Sequence, residues 1–454
     1  MLMKKTLIGS AIALTLAAGN VLAAVSATEA ARLGKDLTPM GAEKNGNGGA
    51  IPAWTGGIES PAGFKVGSKH IDPFAGDKVQ FTITAQNYTK YAANLTEGQI
   101  AMFKKYPETY KMPVYQTRRS SAYPQNVYDK TKENATATKL VGGGNGLSNY
   151  DVGVPFPIPA DGIEVIWNHI VRYRGGSVSR VVGQATPQPN GTYTMVKFKD
   201  EFTFKNKLSD YDPATMKDNN ILFYFKQDVV SPARLAGNVL LVHETLDQVK
   251  EPRKAWIYNA GQRRVRRAPQ VAYDGPGTAS DGLRTSDNFD MYNGAPDRYT
   301  WKLIGKKEVY IPYNSYKLNS GDLKYDDIIK AGHINQDLTR YELHRVWHVE
   351  ATLKDGQRHI YGKRTFYIDE DTWQATEIDH FDGRGELWRV AEAHNIYFYD
   401  RKVPWYTIET LYDLQSGRYL ALGLDNEETK PYDFGFTRSE KDYTPAALRR
   451  SGVR

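Results

Sequence analysis

Apolar and polar residues alternate along much of the chain beyond residue 160. Thr194, Val196, Phe198, Phe202 and Phe204 alternate with Lys197, Lys199, Glu201, Thr203 and Lys205, with Asp200 as the exception on the apolar side. Leu343, Trp347, Val349, Ala351 and Leu353 oppose Glu342, His344, His348, Glu350 and Thr352, and Tyr406, Ile408, Thr410, Tyr412 and Leu414 repeat the pattern. Period two sends successive side chains to opposite faces, so each run predicts a strand. The same reading places a strand over 165–173, with Val165, Trp167, His169, Val171 and Tyr173 on one side. Further strands are expected at 221–227, 238–246, 254–260, 263–268, 358–368, 373–381 and 386–399. Turn signals such as Asn259-Ala260-Gly261, Lys354-Asp355-Gly356 and Asp382-Gly383-Arg384-Gly385 separate them. Connections this short demand antiparallel neighbours, and 341–424 reads as a meander with no room for helices.

Helical signals are few. Thr84 is placed to cap a helix over 85–95, and Thr96 with Gln99 forms a capping box for a helix ended by Pro107. Short helices are expected within 209–218 and 325–331, and Thr444, Pro445 and Gly452 bracket one at the C-terminus. The fold class is therefore mainly β (α+β), a large curved antiparallel sheet with helical and loop covers. Residues 24–150 form a Gly/Pro-rich N-terminal covering segment, 151–430 the open sheet and 431–454 the tail, with the boundary in the flexible stretch 142–159.

Thirty Tyr, 16 Phe and 8 Trp, beside 40 Gly and 22 Pro, suit sheets joined by turns. The absence of Cys rules out disulfides, thiolate metal sites and a cysteine nucleophile. Lys4-Lys5, the apolar run Thr6 to Ala18 and Val21-Leu22-Ala23 read as an export signal over 1–23, cleaved after Ala23 or Ala24, with a retained anchor as the alternative. No later run is long enough to span a bilayer. Without that signal, 57 basic face 52 acidic residues, too small an excess to imply nucleic acid. Export makes cytosolic nucleotides poor candidate ligands.

Catalytic signals are weak. His344 and His348 stand roughly 13 Å apart on a strand and cannot share a metal. Glu392 and His394 share strand parity with Trp388, Val390, Ile396 and Phe398, as His169 does with Trp167. They read either as a polar spot in a cavity or as satisfied core groups. No nucleophile elbow, zinc-protease helix or phosphate loop is present, and Asp369/Asp371 sits in a turn. No cofactor, metal or catalytic residue is assigned. Arg263, Arg264, Arg266 and Arg267 form the second arm of a hairpin. One pair is open to anionic head groups or a partner's carboxylates, with a solvated strand as the alternative.

Trp256-Ile257-Tyr258-Asn259 followed by Arg263 to Arg267, and Ser286-Asp287-Asn288-Phe289-Asp290 downstream, resemble segments of outer-membrane lipoprotein-sorting-like proteins. Leu37-Thr38-Pro39-Met40-Gly41-Ala42-Glu43, Ile51-Pro52-Ala53-Trp54-Thr55-Gly56-Gly57, Pro155 to Pro159, Trp167-Asn168-His169 and Asp382 to Arg389 resemble, more closely, a proteobacterial family of uncharacterised function in that superfamily. The resemblance implies a LolA/LolB-like half-barrel over an apolar cavity, a lipid or acylated cargo, and inner-membrane exporter and outer-membrane barrel partners. Candidate cavity residues are Trp167, Phe198, Phe202, Phe223, Phe225, Trp347 and Tyr406, with His169, Trp388, Glu392 and His394 as polar or flanking contacts. The expectation is a periplasmic carrier, with a periplasmic hydrolase or an outer-membrane barrel as alternatives. Osmotic shock separates the first from the last. Release with the soluble periplasmic fraction is expected, and retention in the outer membrane would favour a barrel.

Overall fold

The computed structural model describes residues 25–451 apart from 269, 270, 272 and 431. The export signal read at 1–23 and the helix stop read at Gly452 lie outside the described residues. In chain order the strands are β1 (Phe81–Ile83), β2 (Met112–Val114), β3 (Lys139–Val141), β4 (Gly146–Ser148), β5 (Ser177–Ala185) and β6 (Met195–Phe204). Next come β7 (Ile221–Ser231), β8 (Val239–Thr245), β9 (Lys254–Asn259), β10 (Arg264–Arg267), β11 (Tyr299–Pro312) and β12 (Tyr341–Leu353). The last are β13 (Lys363–Asp369), β14 (Ala375–Phe381), β15 (Leu387–Phe398), β16 (Val403–Asp413) and β17 (Tyr419–Leu424). The α-helices are α1 (Ala27–Ala30), α2 (Glu97–Lys105), α3 (Gln125–Ala137), α4 (Gly162–Val171), α5 (Pro213–Met216), α6 (Tyr325–Ile328) and α7 (Pro445–Ser451).

Fifteen strands join one sheet, and β3–β4 is a separate hairpin. Two antiparallel meanders, β5 to β10 and β12 to β17, meet where β17 pairs with β5. β11 runs along the outer edge of β12, while β2 touches β12 only through Val114 opposite Tyr341. Among the described residues no pairing joins the two ends, so the sheet is not a closed barrel. The mainly β, antiparallel expectation holds, including the helix-free meander after 341.

Both faces are covered. On one, α4 packs with Phe202, Phe223, Phe366, Ile396 and Trp405. On the other, Met102 and Phe103 of α2 pack with Tyr110, Leu343, Val390, Ile408 and Tyr412. Hence polar positions of the alternating runs are buried too, as at Glu342 and His344. Asp200, the exception on β6, is bound by Arg180 (3.2 Å) and Gln227 (3.0 Å).

The strand expected over 165–173 is instead α4, so Trp167 and His169 stand on a helix. Asp161 caps it through Ile163 N (3.3 Å), and every residue from Glu164 to Val171 is buried. A helix buried on all sides has no polar stripe to reveal its period. The helix expected over 85–95 is reduced to a 3-10 turn at Tyr88–Asn94, whose Tyr88 and Tyr91 are only partly buried against the α2-side core; little burial leaves a short helix little to gain. The capping box at Thr96 and Gln99 is present, as are the short helices α5, α6 and α7. The short strands β1 to β4, the strands β5, β11 and β17, and helices α1 and α3 went unanticipated. In β11 the register shifts between Leu303 and Gly305, so Val309 and Ile311 stand on the opposite face from Trp301 and Leu303 although all four are odd-numbered. In α3 the buried stripe is Val127, Thr131, Asn134 and Ala135, half of it polar.

The N-terminus of α2 sits directly on β14. Gly98 N donates to Asp379 Oδ1 (3.0 Å), and a Cβ at 98 would lie 2.1 Å from that oxygen. Gly98→Ala is therefore expected to lower stability by about 1–3 kcal/mol, read by thermal or urea unfolding. An unchanged midpoint would show that α2 shifts freely on the sheet.

Candidate functional site

At the β7–β9 end of the sheet the α4 face carries Phe223, Phe225, Leu240, Val242 and Ile257. The connection from β10 to β11 folds back over this patch. Internal backbone bonds brace it, Gly277 N to Arg284 O (2.8 Å), Ser286 N to Gly275 O (2.6 Å) and Asp287 N to Tyr273 O (3.0 Å). Two buried carboxylates then anchor it. Asp287 meets Arg364 (2.8 Å) and His359 (3.1 Å), while Asp290 lies between Arg172 (2.6 Å) and Arg174 and accepts from Trp405 Nε1 (3.1 Å). Burial opposes ionisation of Asp290, but the two guanidinium groups outweigh it and hold its pKa below the usual carboxylate range.

Between strands and loop a cavity of about 300 Å³ remains. Its wall is mostly apolar, with one polar side where Glu244, Arg253 and Asn293 meet; Gln227, four residues along β7 from the position opposite Glu244, and Arg284 add separate polar groups. Arg253 Nε lies 2.7 Å from Glu244 Oε2, which also accepts from Asn293 Nδ2 (2.9 Å). No histidine is among the described lining residues, and Ser286 Oγ donates to Gly275 O (3.0 Å), so the wall pairs no nucleophile with a base.

Of the residues singled out in the sequence, Phe223 and Phe225 line this cavity. Phe202 packs one layer behind, with ring centroids 4.5 Å from Phe223. Phe198 belongs to a separate cluster with Val196 and Val229. Trp167 is buried and donates to Gly144 O (2.8 Å). His169 Nδ1 accepts from Ala375 N (3.0 Å), which leaves Nε2 to donate to Asp290 O (3.0 Å). Burial and the Arg172 charge push its pKa down to about 3, so it is a neutral structural group. Trp347 stacks on Trp373, Trp388 donates to Asp413, and the Tyr406 hydroxyl accepts from Arg180 (3.4 Å). None of these reaches the cavity.

Glu392 and His394 lie on the opposite face near α2. Glu392 stands directly across from Glu377 and accepts from the hydroxyls of Tyr110 (3.2 Å) and Tyr341 (3.0 Å). His394 has both ring nitrogens buried without a partner among the described residues. In the hairpin, Arg264 faces Asn259 and Arg266 faces Ile257 across the strand pair. Directly opposed residues share a face, so Arg264 and Arg266 stand on the cavity side and Arg267 on the other, while Arg263 occupies the turn at φ 53°. The sequence reading missed Arg253, Arg284 and Asn293, isolated residues in aperiodic segments, and Glu244, a polar position of an expected strand whose face local pattern does not fix. Ile257, Ser286 and Phe289, within the quoted segments, were the visible signals.

His344, Asp369 and Asp371 offer ligand-type atoms within 4.8 Å of one another. Arg119 already grips both oxygens of Asp371 (2.8 and 2.7 Å), and His344 Nε2 engages Glu342 (3.1 Å). The cluster fastens residues 43–52 to the β13–β14 turn through Arg119, which also reaches Glu43 O and Pro52 O.

Burial raises Glu392 to about 7, with the two tyrosine hydroxyls partly opposing the rise. A carboxylate of ordinary pKa in the unfolded chain takes up a proton on folding, so this group's contribution falls as pH rises from about 4.3 to 7 and stays low above. Glu392→Gln removes that titration. Its stability relative to the parent is expected to rise across this window, by up to about 3 kcal/mol at pH 8, with no gain at pH 4.5. A gain independent of pH in urea unfolding would refute the shift.

A family model described as "Protein of unknown function (DUF1329)" matches residues 82–449. An uncharacterized protein of Pseudomonas aeruginosa is 69% identical over 446 residues, covering 98% of this chain and 97% of that protein. Among solved structures, a DUF1329 family protein from Desulfovibrio piger is similar at 15% identity, covering 61% of this chain and 92% of that one, with a TM-score of 0.41. A putative outer membrane lipoprotein-sorting protein domain from Vibrio parahaemolyticus is similar at 13% identity (64% and 98% covered, TM-score 0.44). A LolA superfamily protein from Nitrosomonas europaea is similar at 12% (63% and 98%, TM-score 0.36). With most of its length inside the family model and a relative matched nearly end to end, the chain belongs to the DUF1329 family.

Proposed function

We propose that the protein is an exported carrier or chaperone that holds a lipid or acyl chain in the cavity between β7–β9 and the 273–293 loop. It would work in the periplasm, between an inner-membrane exporter and an outer-membrane barrel. The observation that carries this reading is the cavity itself, a space of about 300 Å³ walled by Phe223, Phe225, Leu240, Val242, Ile257 and Phe289. Folded chains fill such apolar space unless something else occupies it. Each buried methylene is worth about 0.8 kcal/mol, so eight contribute roughly 6 kcal/mol before the cost of association. That magnitude supports reversible, weak-to-moderate binding, which suits a carrier that must release its cargo. No described helix is long and apolar enough to cross a membrane, which agrees with a shuttling role.

The hydrolase alternative needs polar groups converging on a substrate. Glu392 and His394 face away from the cavity, and its polar side holds an ion pair and amides. That favours binding over turnover.

Val242→Trp should fill the cavity from its floor. Binding of an apolar fluorescent probe such as N-phenylnaphthylamine is expected to weaken at least tenfold while far-ultraviolet circular dichroism is unchanged. Equal probe binding by parent and variant would place the lipid elsewhere, and no binding by either would sink the carrier reading.

A further inference from the structure

Arg284 stands apart from the other cation of the cavity wall. Arg253 is neutralised by Glu244 at 2.7 Å. Arg284 is 7% exposed, yet its Nε and Nη1 are buried without a hydrogen-bond partner among the described residues. Its place is built in. Its carbonyl accepts from Gly277 N (2.8 Å) and Ser280 Oγ (3.2 Å), which clamps the loop around it. A Cβ at 277 would lie 2.8 Å from Nε, so glycine there leaves room for the guanidinium.

The neighbouring acids do not serve as counter-ions. Asp200 is held by Arg180 and Gln227. Burial pushes the Glu409 carboxyl up, and neither of its oxygens has a hydrogen-bond partner among the described residues, so it makes no bond to Arg284. An uncompensated charge in such a place costs several kcal/mol, and a ligand that supplies the missing acceptor recovers that cost. Apart from the paired Glu244, Arg253 and Asn293 and a few neutral polar groups, apolar rings and aliphatic side chains form the rest of the wall. On the same face, at the exposed hairpin, Arg264 and Arg266 add positive potential that draws anions toward it.

Resting on the carrier reading above, we infer that the cargo is a single-chain amphiphile with an anionic head group, whose head accepts hydrogen bonds from Arg284 while its chain lies against Phe223, Phe225 and Val242. The volume, about 300 Å³, is at the small end of ligand sites, which selects one chain over the several chains of a lipoprotein anchor. Carboxylate and phosphate heads share the required chemistry, and the experiment separates them.

Decanoate, decyl phosphate and decanol, each below its aggregation threshold, are titrated into the full protein at pH 7.5 by displacement of the apolar probe. At least one anion is expected to bind tenfold or more tightly than decanol, and the stronger of the two names the head group. Arg284→Met should erase that preference while decanol affinity stays within twofold, and Arg284→Lys should retain part of it. Equal affinities for all three in the parent protein, or a preference that survives Arg284→Met, would overturn the head-group assignment and leave the carrier reading intact. Failure of all three to bind would remove both. The parent comparison alone decides the matter if Arg284→Met does not fold.

Discussion

The Asp290 carboxylate, shared between Arg172 and Arg174, is the interaction on which the site depends. It joins three parts of the chain distant in sequence: the end of α4, the β10–β11 connection and, through Trp405, strand β16. Two guanidinium groups and one carboxylate buried together are costly unless every member is paired, and removal of one leaves charge stranded. The backbone is itself committed there, with Asp290 at φ 53° and Met291 at φ 65°. This anchor turns the 273–293 segment into a fixed roof, and the roof leaves the cavity.

Most of the sheet's inner surface has no hollow. α4 and the aromatic layer of Phe202, Phe366, Trp405 and Tyr406 fill the face across its middle, and α2 covers the reverse side. The cavity lies at the β7–β9 end, where the covering element is a loop whose backbone bonds turn inward on itself. A sheet this wide needs cover on both faces, and binding capacity survives only where that cover is imperfect. The geometry separates two kinds of buried polar group. Glu392, Glu377 and Asp379 lie around α2 and serve its seating, whereas Arg284 faces space.

The strands were legible where one face differs from the other. β6, β12 and β16 keep enough alternation to be read, and the tight turns between β13, β14 and β15 set their antiparallel order. Legibility failed where burial is uniform, as in α4, and where the buried stripe is polar, as in α3, and the bulge near Gly305 hid which face the apolar positions of β11 take. In the site, Phe223 and Phe225 were visible because they belong to a periodic strand. Arg284 was not, since its role comes from a loop whose path is set by distant ion pairs.

The sequence by itself determined most of the strands beyond residue 190, the antiparallel meander, the lack of thiol chemistry and a hairpin with arginines on both faces, because these depend on residues near one another in the chain. The tertiary structure decided which pair of arginines joins the cavity face, that Glu392 and His394 belong to the opposite layer, and where the unfilled volume lies. Those outcomes rest on register and on contacts across more than a hundred residues, such as Arg172 with Asp290, and no local pattern encodes them.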